Sequence, residues 1–502
     1  MSYGGTIMLD LLSLTMKRKF ELLYLLESAD AYVDLQTIAW ELSCSERTAH
    51  DEIEELKQSK FSKYFSIFNK GKDYMLVFNP GITIDIFTQY VLKENAHFQI
   101  IELTLYRDNM NVEKLAKCLH TSVPTTYRYI NSINEALQAS FNISLSSNPC
   151  RLHGDEVNIR SFYTQYMSER YLVNEWPFDN IDEDALVELI KIFSPNFLDN
   201  LSFSQLRNIK LGAGVSMIRY QNDYQLEPKP SIIEDIYQQS DCKSKIDKIH
   251  KEMINKPYDG KMAMDVAGYF INKYSFNNYQ ELSASLEKND YTKESVELLI
   301  STIENISEKF NMPISNFEDL LLEVHNAGQV GIRKINARQI ISQQKSTFIN
   351  TFKSIAPSMY EEIKKDLRRY VKLLDLDRSE SLLSHLTYTF VTHWENLLEN
   401  IYRHMPPVNI KVVSTNDQYH AEIIKQKLEF DFDGQVEVSV AEGNDLKEIL
   451  SDEEADIIIT NFSVPFDDKD HIFAINDLPT AKDMRKIMYA IHEVQHEATK
   501  YL

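Results

Sequence analysis

An order of elements that occurs twice within the first 165 residues constrains this chain more than any other feature. Residues 16–29 place Phe20, Leu22, Leu23, Leu25 and Leu26 on a broad apolar face and predict a helix. Asp34 can cap a second helix, in which Leu35, Ile38, Ala39 and Leu42 fall at helical spacing. Ser43-Cys44 break the pattern, and Ser45 caps a third helix with Ala49, Ile53 and Leu56 inward. Two short helices joined by a tight turn are the helix-turn-helix pattern. The period then falls from 3.6 towards 2. Tyr64–Phe68 and Tyr74–Phe78 are strand-like runs, joined by Asn69-Lys70-Gly71-Lys72-Asp73 with good hairpin chemistry. Such a hairpin is a wing, and its two lysines can reach phosphate.

The second copy follows at once. Residues 84–106 are helical, Asn111 caps a helix with Val112, Leu115, Ala116 and Leu119 inward, and His120-Thr121 form the turn. Ser122 opens the next helix, with Val123, Tyr127, Ile130, Ile133 and Leu137 expected on the inner face and Pro124 in the tolerated first turn. Strand-like Ile143–Leu145 and Cys150–His153 flank Ser146-Ser147-Asn148-Pro149. A repeated architecture is far stronger evidence than a single match.

Recognition residues are expected on the outer faces of the second helix of each pair. The second module offers Ser122, Thr125, Thr126, Arg128, Tyr129 and Asn131, with no acid until Glu135. Arg can meet guanine in bidentate fashion, Asn can pair with adenine, and Thr methyls can meet thymine methyls. The first module offers Ser45, Arg47, Thr48 and His50, beside Asp51, Glu52, Glu54 and Glu55, which repel phosphate unless they point away. Lys70 and Lys72 complete its set.

From about 155 to 405 apolar residues recur at three and four, as in Leu186, Leu189, Ile190 and Phe193, and predict two helical bundles. After Pro406-Pro407, apolar runs such as Ile410–Val413, Val436–Val440 and Ile457–Ile459 alternate with helical stretches, so a parallel α/β sheet is expected. The chain therefore reads as mostly α and multidomain. Two winged helix-turn-helix modules (1–80 and 81–165) precede two bundles (166–288 and 289–405) and an α/β domain (406–502).

The net charge of −22 opposes DNA binding in sum, because phosphate contacts need Lys and Arg. Its distribution is uneven: residues 1–165 hold 16 Lys+Arg against 20 Asp+Glu, a balance of only −4. An acidic body can turn nucleic acid away from every other surface. No run is long and apolar enough for a membrane span, and the N-terminal stretch lacks the order of a secretory leader, so a cytoplasmic protein is expected. Cys44, Cys118, Cys150 and Cys242 are far apart and read as reduced packing residues. There is no GxxxxGK[ST], GxSxG or HExxH sequence. His492 and His496 sit at i, i+4, but the rest of a metal motif is missing, so no enzyme activity, metal or cofactor is expected.

This order of parts resembles the Mga/AtxA-type global and virulence regulators of Gram-positive bacteria. Leu115–Ala136 is similar to that family's second helix-turn-helix, and the segment from Leu152 to Tyr163 to the stretch leaving its second wing. The resemblance implies that the bundles are phosphotransferase-system regulatory domains and that the last domain is similar to a phosphotransferase B component. It implies a homodimer through the C-terminal domains, and phosphorylation of bundle histidines by the phosphocarrier HPr. Leu382–Leu386 resembles the position of a regulatory histidine, which carries that role to His385, with His325 and His250 as lesser candidates. Two departures matter. Leu206–Leu211 has no histidine where the family's first bundle carries one, and Val413-Ser414-Thr415 has no cysteine where a B component has its nucleophile. Two other functions fit the same residues: a phosphotransferase-type protein acting through the last domain, or a scaffold whose winged modules bind protein.

Overall fold

The computed structural model describes residues 7–29, 32–107, 110–179, 181–193, 202–226, 238, 244–246, 260–270, 276–332, 339–342, 344–374, 380–442, 446–450, 454–464 and 471–499. Two compact units result. One holds residues 1–277 together with 329–343, and the other holds 278–328 and 344–502.

In the first unit a 3-10 turn, Ile7–Leu11, leads into α1 (Leu14–Ser28), α2 (Leu35–Glu41) and α3 (Glu46–Gln58). Val33–Asp34 (β1) joins β2 (Phe65–Lys70) and β3 (Asp73–Phe78) in an antiparallel sheet of order β1-β3-β2. The hairpin register pairs Phe65 with Phe78 and Lys70 with Asp73, which buries Phe65, Ile67, Tyr74 and Leu76 on one face. The second copy comprises α4 (Asp85–Glu94), α5 (Ala96–Tyr106), α6 (Val112–Cys118) and α7 (Val123–Phe141). Its hairpin is shorter: β4 (Ser144–Leu145) pairs only with β5 (Leu152–His153).

The two helix pairs match in their chemistry. Asp34 and Asn111 cap α2 and α6, and Ser45 and Ser122 cap α3 and α7, each by a side-chain oxygen accepting a first-turn backbone N–H. Ser43 and His120 occupy the same place in the two turns, and both are left-handed, with φ of 49° and 53°. The following N–H groups, of Cys44 and Thr121, return to the carbonyls of Ala39 and Ala116, both at 2.9 Å. The N-terminal turn packs against α7, so one core runs from Met8 through both modules.

α8 (Glu156–Arg170) leaves the second hairpin and packs against α4 and α10 (Phe203–Gln221); α9 (Glu183–Phe193) and α11 (Gly260–Phe270) complete the described helices of the first bundle. Gly212 and Gly214 let α10 approach closely, since a Cβ at 214 would lie 2.3 Å from the Phe178 ring.

The second unit contains α12 (Tyr279–Ser285), α13 (Asp290–Phe310), α14 (Phe317–Ile332), α15 (Gln344–Ile355), α16 (Pro357–Leu373), α17 (Glu380–His393) and α18 (Leu397–His404). β6 (Val408–Val413), α19 (Gln418–Asp431), β7 (Val436–Val440), α20 (Leu446–Leu450), β8 (Ile457–Thr460), β9 (Ile472–Ala474) and α21 (Ala481–Thr499) follow. The four strands are all parallel in the order β7-β6-β8-β9. Central β8 is buried along its length, as its run of three isoleucines requires. No described helix is long and apolar enough to cross a membrane.

Candidate nucleic-acid interface

α7 is fixed both in the core and to the following hairpin. Ile130, Ile133, Ala136 and Leu137 seat it in the core. Asn134 fastens it to the hairpin, with Nδ2 donating to the Leu145 carbonyl at 2.8 Å while Oδ1 accepts the Leu145 N–H at 2.5 Å.

The buried stripe differs by one residue from the expectation. Thr126 is fully buried: its hydroxyl donates to the Ser122 carbonyl at 3.1 Å and lies 2.9 Å from the Thr121 hydroxyl. It is therefore not part of the exposed face. Tyr127, expected inward, is 43% exposed instead. The stripe Thr126, Ile130, Ile133, Leu137 has helical spacing once a hydroxyl that bonds back to its own helix is allowed inside. Tyr129 is half-buried, its ring edge-on to His97 with centroids 4.6 Å apart. Ser122 and Thr125 are tied into the cap, with their hydroxyls 2.8 Å apart. The open face is thus Tyr127, Arg128, Asn131 and Ser132, and Arg128 Nη2 donates to the Thr125 hydroxyl at 3.3 Å.

Around this face lie cations that sequence reading did not single out. Arg107, Lys114 and Lys117 are exposed beside the first helix of the pair, and Arg151 and His153 stand on the hairpin. Among the described residues Lys114, Lys117, Arg128 and Arg151 make no ion pair. The signal for Arg151 was its place in the hairpin, next to the buried Cys150 and Leu152.

The first module is electrostatically closed by contrast. Glu52 turns inward and accepts from Arg18 Nε at 2.8 Å. Glu55 pairs with Lys19, and Lys57 with Glu54 at 2.7 Å. Lys72 pairs with Glu46 at 3.1 Å, and Arg47 lies 3.9 Å from Asp51. The Ser45 hydroxyl is spent on the cap and on Thr48, at 2.9 Å. All four acids expected to repel phosphate therefore have cationic neighbours, with Asp51 the outermost, beside Arg47 and His50. Lys70 is exposed at the hairpin tip.

In the second unit His385 is half-buried, with an Nδ1 that finds no hydrogen-bond partner. Burial, aided by nearby Lys345 and His393, pushes its pKa down to about 3, so the imidazole is neutral at physiological pH. His325 is fully buried in α14. His250, Cys242 and the side chain of His496 lie outside the described residues. Ser414, at the end of β6, has its hydroxyl 2.8 Å from His420 Nδ1.

A repeated helix-turn-helix, with one helix presenting an arginine free of ion pairs among the described residues beside hydrogen-bonding groups, fits a DNA-binding transcriptional regulator. The Mga helix-turn-helix domain matches residues 80–167, and the M protein trans-acting positive regulator (MGA) PRD domain matches residues 182–397. Together they span more than half of the chain, which belongs to the Mga-type regulators. A putative trans-acting regulator of Streptococcus pneumoniae serotype 4 (strain ATCC BAA-334 / TIGR4) is 28% identical, over 94% of this chain and 97% of its own length. The capsule synthesis positive regulator AcpB of Bacillus anthracis is 19% identical, over 94% and 98%. A shorter stretch, 34% of the chain, is 26% identical to AcpA of the same organism.

Proposed function

We propose that this cytoplasmic regulator holds double-stranded DNA chiefly through its second winged module. Arg128 and Asn131 face base edges, and Lys114, Lys117 and Arg151 neutralise phosphates. The observation that carries this reading is the contrast in pairing: the second module's outer cations are free of ion pairs among the described residues, and most of the first module's are neutralised in place. The first module then adds contacts mainly through its wing at Lys70. Fluorescence anisotropy with promoter fragments tests this. Arg128→Ala is expected to cost about 1–3 kcal/mol and to relax sequence preference. Lys114→Ala is expected to weaken all sequences alike and to flatten the dependence of log K on log salt by about one unit. Equal binding by wild type and Arg128→Ala would remove the second module from the interface.

The bundles are the sensing part in this proposal, with the phosphocarrier HPr as donor and His385 as first acceptor. Its neutral imidazole has the lone pair that phosphoryl transfer requires. His325, fully buried, needs a rearrangement before it can react. The last domain is similar to a phosphotransferase B component in its parallel βαβ order, and with Ser414 in place of the nucleophilic cysteine it serves assembly rather than transfer. Support for a homodimer comes from α19, where Tyr419, Ile423 and Phe430 are 83%, 54% and 83% exposed.

A further inference from the structure

The boundary between the two units falls inside α14 rather than in the connection that follows it. The chain leaves the second unit after Gly328, gives residues 329–343 to the first, and re-enters the second at Gln344. Within that excursion Ile340 and Ile341 are fully buried and belong to the first unit's hydrophobic core.

The seat of this segment is one side chain. The Glu169 carboxylate, in the last turn of α8, accepts three consecutive backbone N–H groups: Ile340 at 2.6 Å, Ile341 at 2.9 Å and Ser342 at 2.9 Å. Gln165 Nε2 adds a fourth donor at 2.7 Å. No cation pairs with Glu169 among the described residues. Burial raises its pKa, and these donors offset only part of that rise. Donors of this kind to a charged oxygen are among the stronger hydrogen bonds. The three donors from residues 340–342 are backbone amides, so the grip fixes the path of the main chain and not a particular sequence.

α8 is also the helix through which the second hairpin meets the first bundle. Its N-terminal turn carries Glu156, which accepts from Arg160 Nε and Arg219 Nε, both at 3.0 Å. Its middle is pinned to α5, with Tyr163 and Thr104 hydroxyls 2.9 Å apart and the Tyr166 hydroxyl donating to the Phe98 carbonyl at 3.1 Å. A pull at Glu169 therefore acts on a rod whose other end begins three residues after β5 ends.

We propose that residues 339–342 are a strap, gripped by Glu169, that makes the position of α8 and hence of the second hairpin answer to the helices of the second bundle. The proposal rests on the DNA-binding reading for its purpose, and its physical content stands apart from it. An element with two arrangements, seated and released, is what coupling between distant sites requires. Release needs Ile340 and Ile341 to leave the core and three consecutive backbone donors to lose one carboxylate at once, so the transition is all-or-none.

Hydrogen exchange read by mass spectrometry on the full chain tests it. Glu169→Gln keeps the shape but turns an amide NH2 towards backbone N–H donors. The amides of residues 340–342 are expected to exchange at least tenfold faster, with α13 and α16 unchanged. The second arm perturbs the far end. Gly328→Ala places a Cβ 2.5 Å from the Tyr370 hydroxyl, so α14 and the Tyr370 side chain of α16 must move apart. In the wild-type background this change is expected to alter exchange in α8 and the β4–β5 hairpin, and in Glu169→Gln to leave both untouched. Strap amides that stay protected in Glu169→Gln overturn the proposal. So does a Gly328→Ala effect absent from the wild type or equal in the two backgrounds. Should Glu169→Gln lose its cooperative thermal transition, Glu169→Asp, which keeps the charge but cannot span three amides, carries the same comparison. If the wild type fails to bind any promoter fragment, the DNA reading falls and the exchange arms still decide the strap.

Discussion

Ser43 and His120 show how far the repeat reaches. Each holds a left-handed backbone in the tight turn of its helix pair, a conformation that costs a residue with a Cβ about 1–2 kcal/mol. Replacing either by glycine removes that cost and adds some unfolded-chain entropy, so a net gain of about 0.5–1 kcal/mol is expected. Urea unfolding of Ser43→Gly followed at the first unit checks this, and a loss of stability would mean that the turn is held by side-chain contacts. Thr126 marks what a periodicity reading cannot see. Its hydroxyl is satisfied by the helix's own carbonyl, so a polar residue takes an inner position and the stripe judged by hydrophobicity alone selects Tyr127. His385 carries a pH dependence with a definite sign. Its folded pKa lies below the unfolded value of roughly 6.5, so the unfolded state binds the proton more readily. Stability of the second unit is fully present above about pH 6.5 and is lost as pH falls towards 3. The slope approaches about 1.4 kcal/mol per pH unit, and His385→Phe is expected to flatten it in thermal scans.

At the scale of elements, regular local pattern was legible and long-range polar chemistry was not. Both helix pairs, the first hairpin and the first three strands of the sheet could be read from spacing, because a 3.6 or a 2 period and a cap are properties of neighbouring residues. β9, three partly exposed residues with no buried alternation, gave no such signal. Nor did the buried cluster that joins α8 to the first bundle. There Arg160 is fully buried between Glu156 and Asp265, at 3.0 and 2.6 Å, while Arg219 stacks 3.6 Å above the Tyr224 ring and pairs with Glu156. These partners lie from 4 to about 100 positions apart in sequence, and no local periodicity or cap brings them together. Removing one partner strands a buried charge, so Asp265→Ala is expected to cost about 3–5 kcal/mol. Arg160→Met with Asp265→Leu, which removes both charges, is expected to cost much less. Equal losses in the two variants would show that packing rather than charge holds the joint. Asn134 makes a smaller claim of the same kind. Asn134→Ala leaves the Leu145 N–H and carbonyl without their side-chain partner and is expected to cost about 1–3 kcal/mol, with faster exchange in the second hairpin.

For the molecule as a whole, a net charge of −22 makes association between two copies unfavourable over most of the surface. A dimer interface must therefore be a place where charge is absent. On α19 the outward positions Tyr419, Ile423, Gln426 and Phe430 fall at i, i+4, i+7 and i+11, one uncharged line along the helix, and all four are exposed. Large exposed aromatics are the residues that anchor interfaces most strongly. Burying this line against a second copy would bring two sets of modules to one DNA and double the number of phosphates neutralised. Two measurements then move together. Ile423→Glu sets a charge in the middle of the line and is expected to weaken the dimer at least tenfold in sedimentation equilibrium. The same variant should bind promoter DNA with about half the salt slope of the wild type, because the slope counts the phosphates engaged. Raising salt in the absence of DNA should tighten the wild-type dimer by screening the repulsion between two acidic bodies. A variant that remains dimeric while keeping the full slope would move the interface to another surface. One that turns monomeric with the slope unchanged would show that a single copy already makes every phosphate contact.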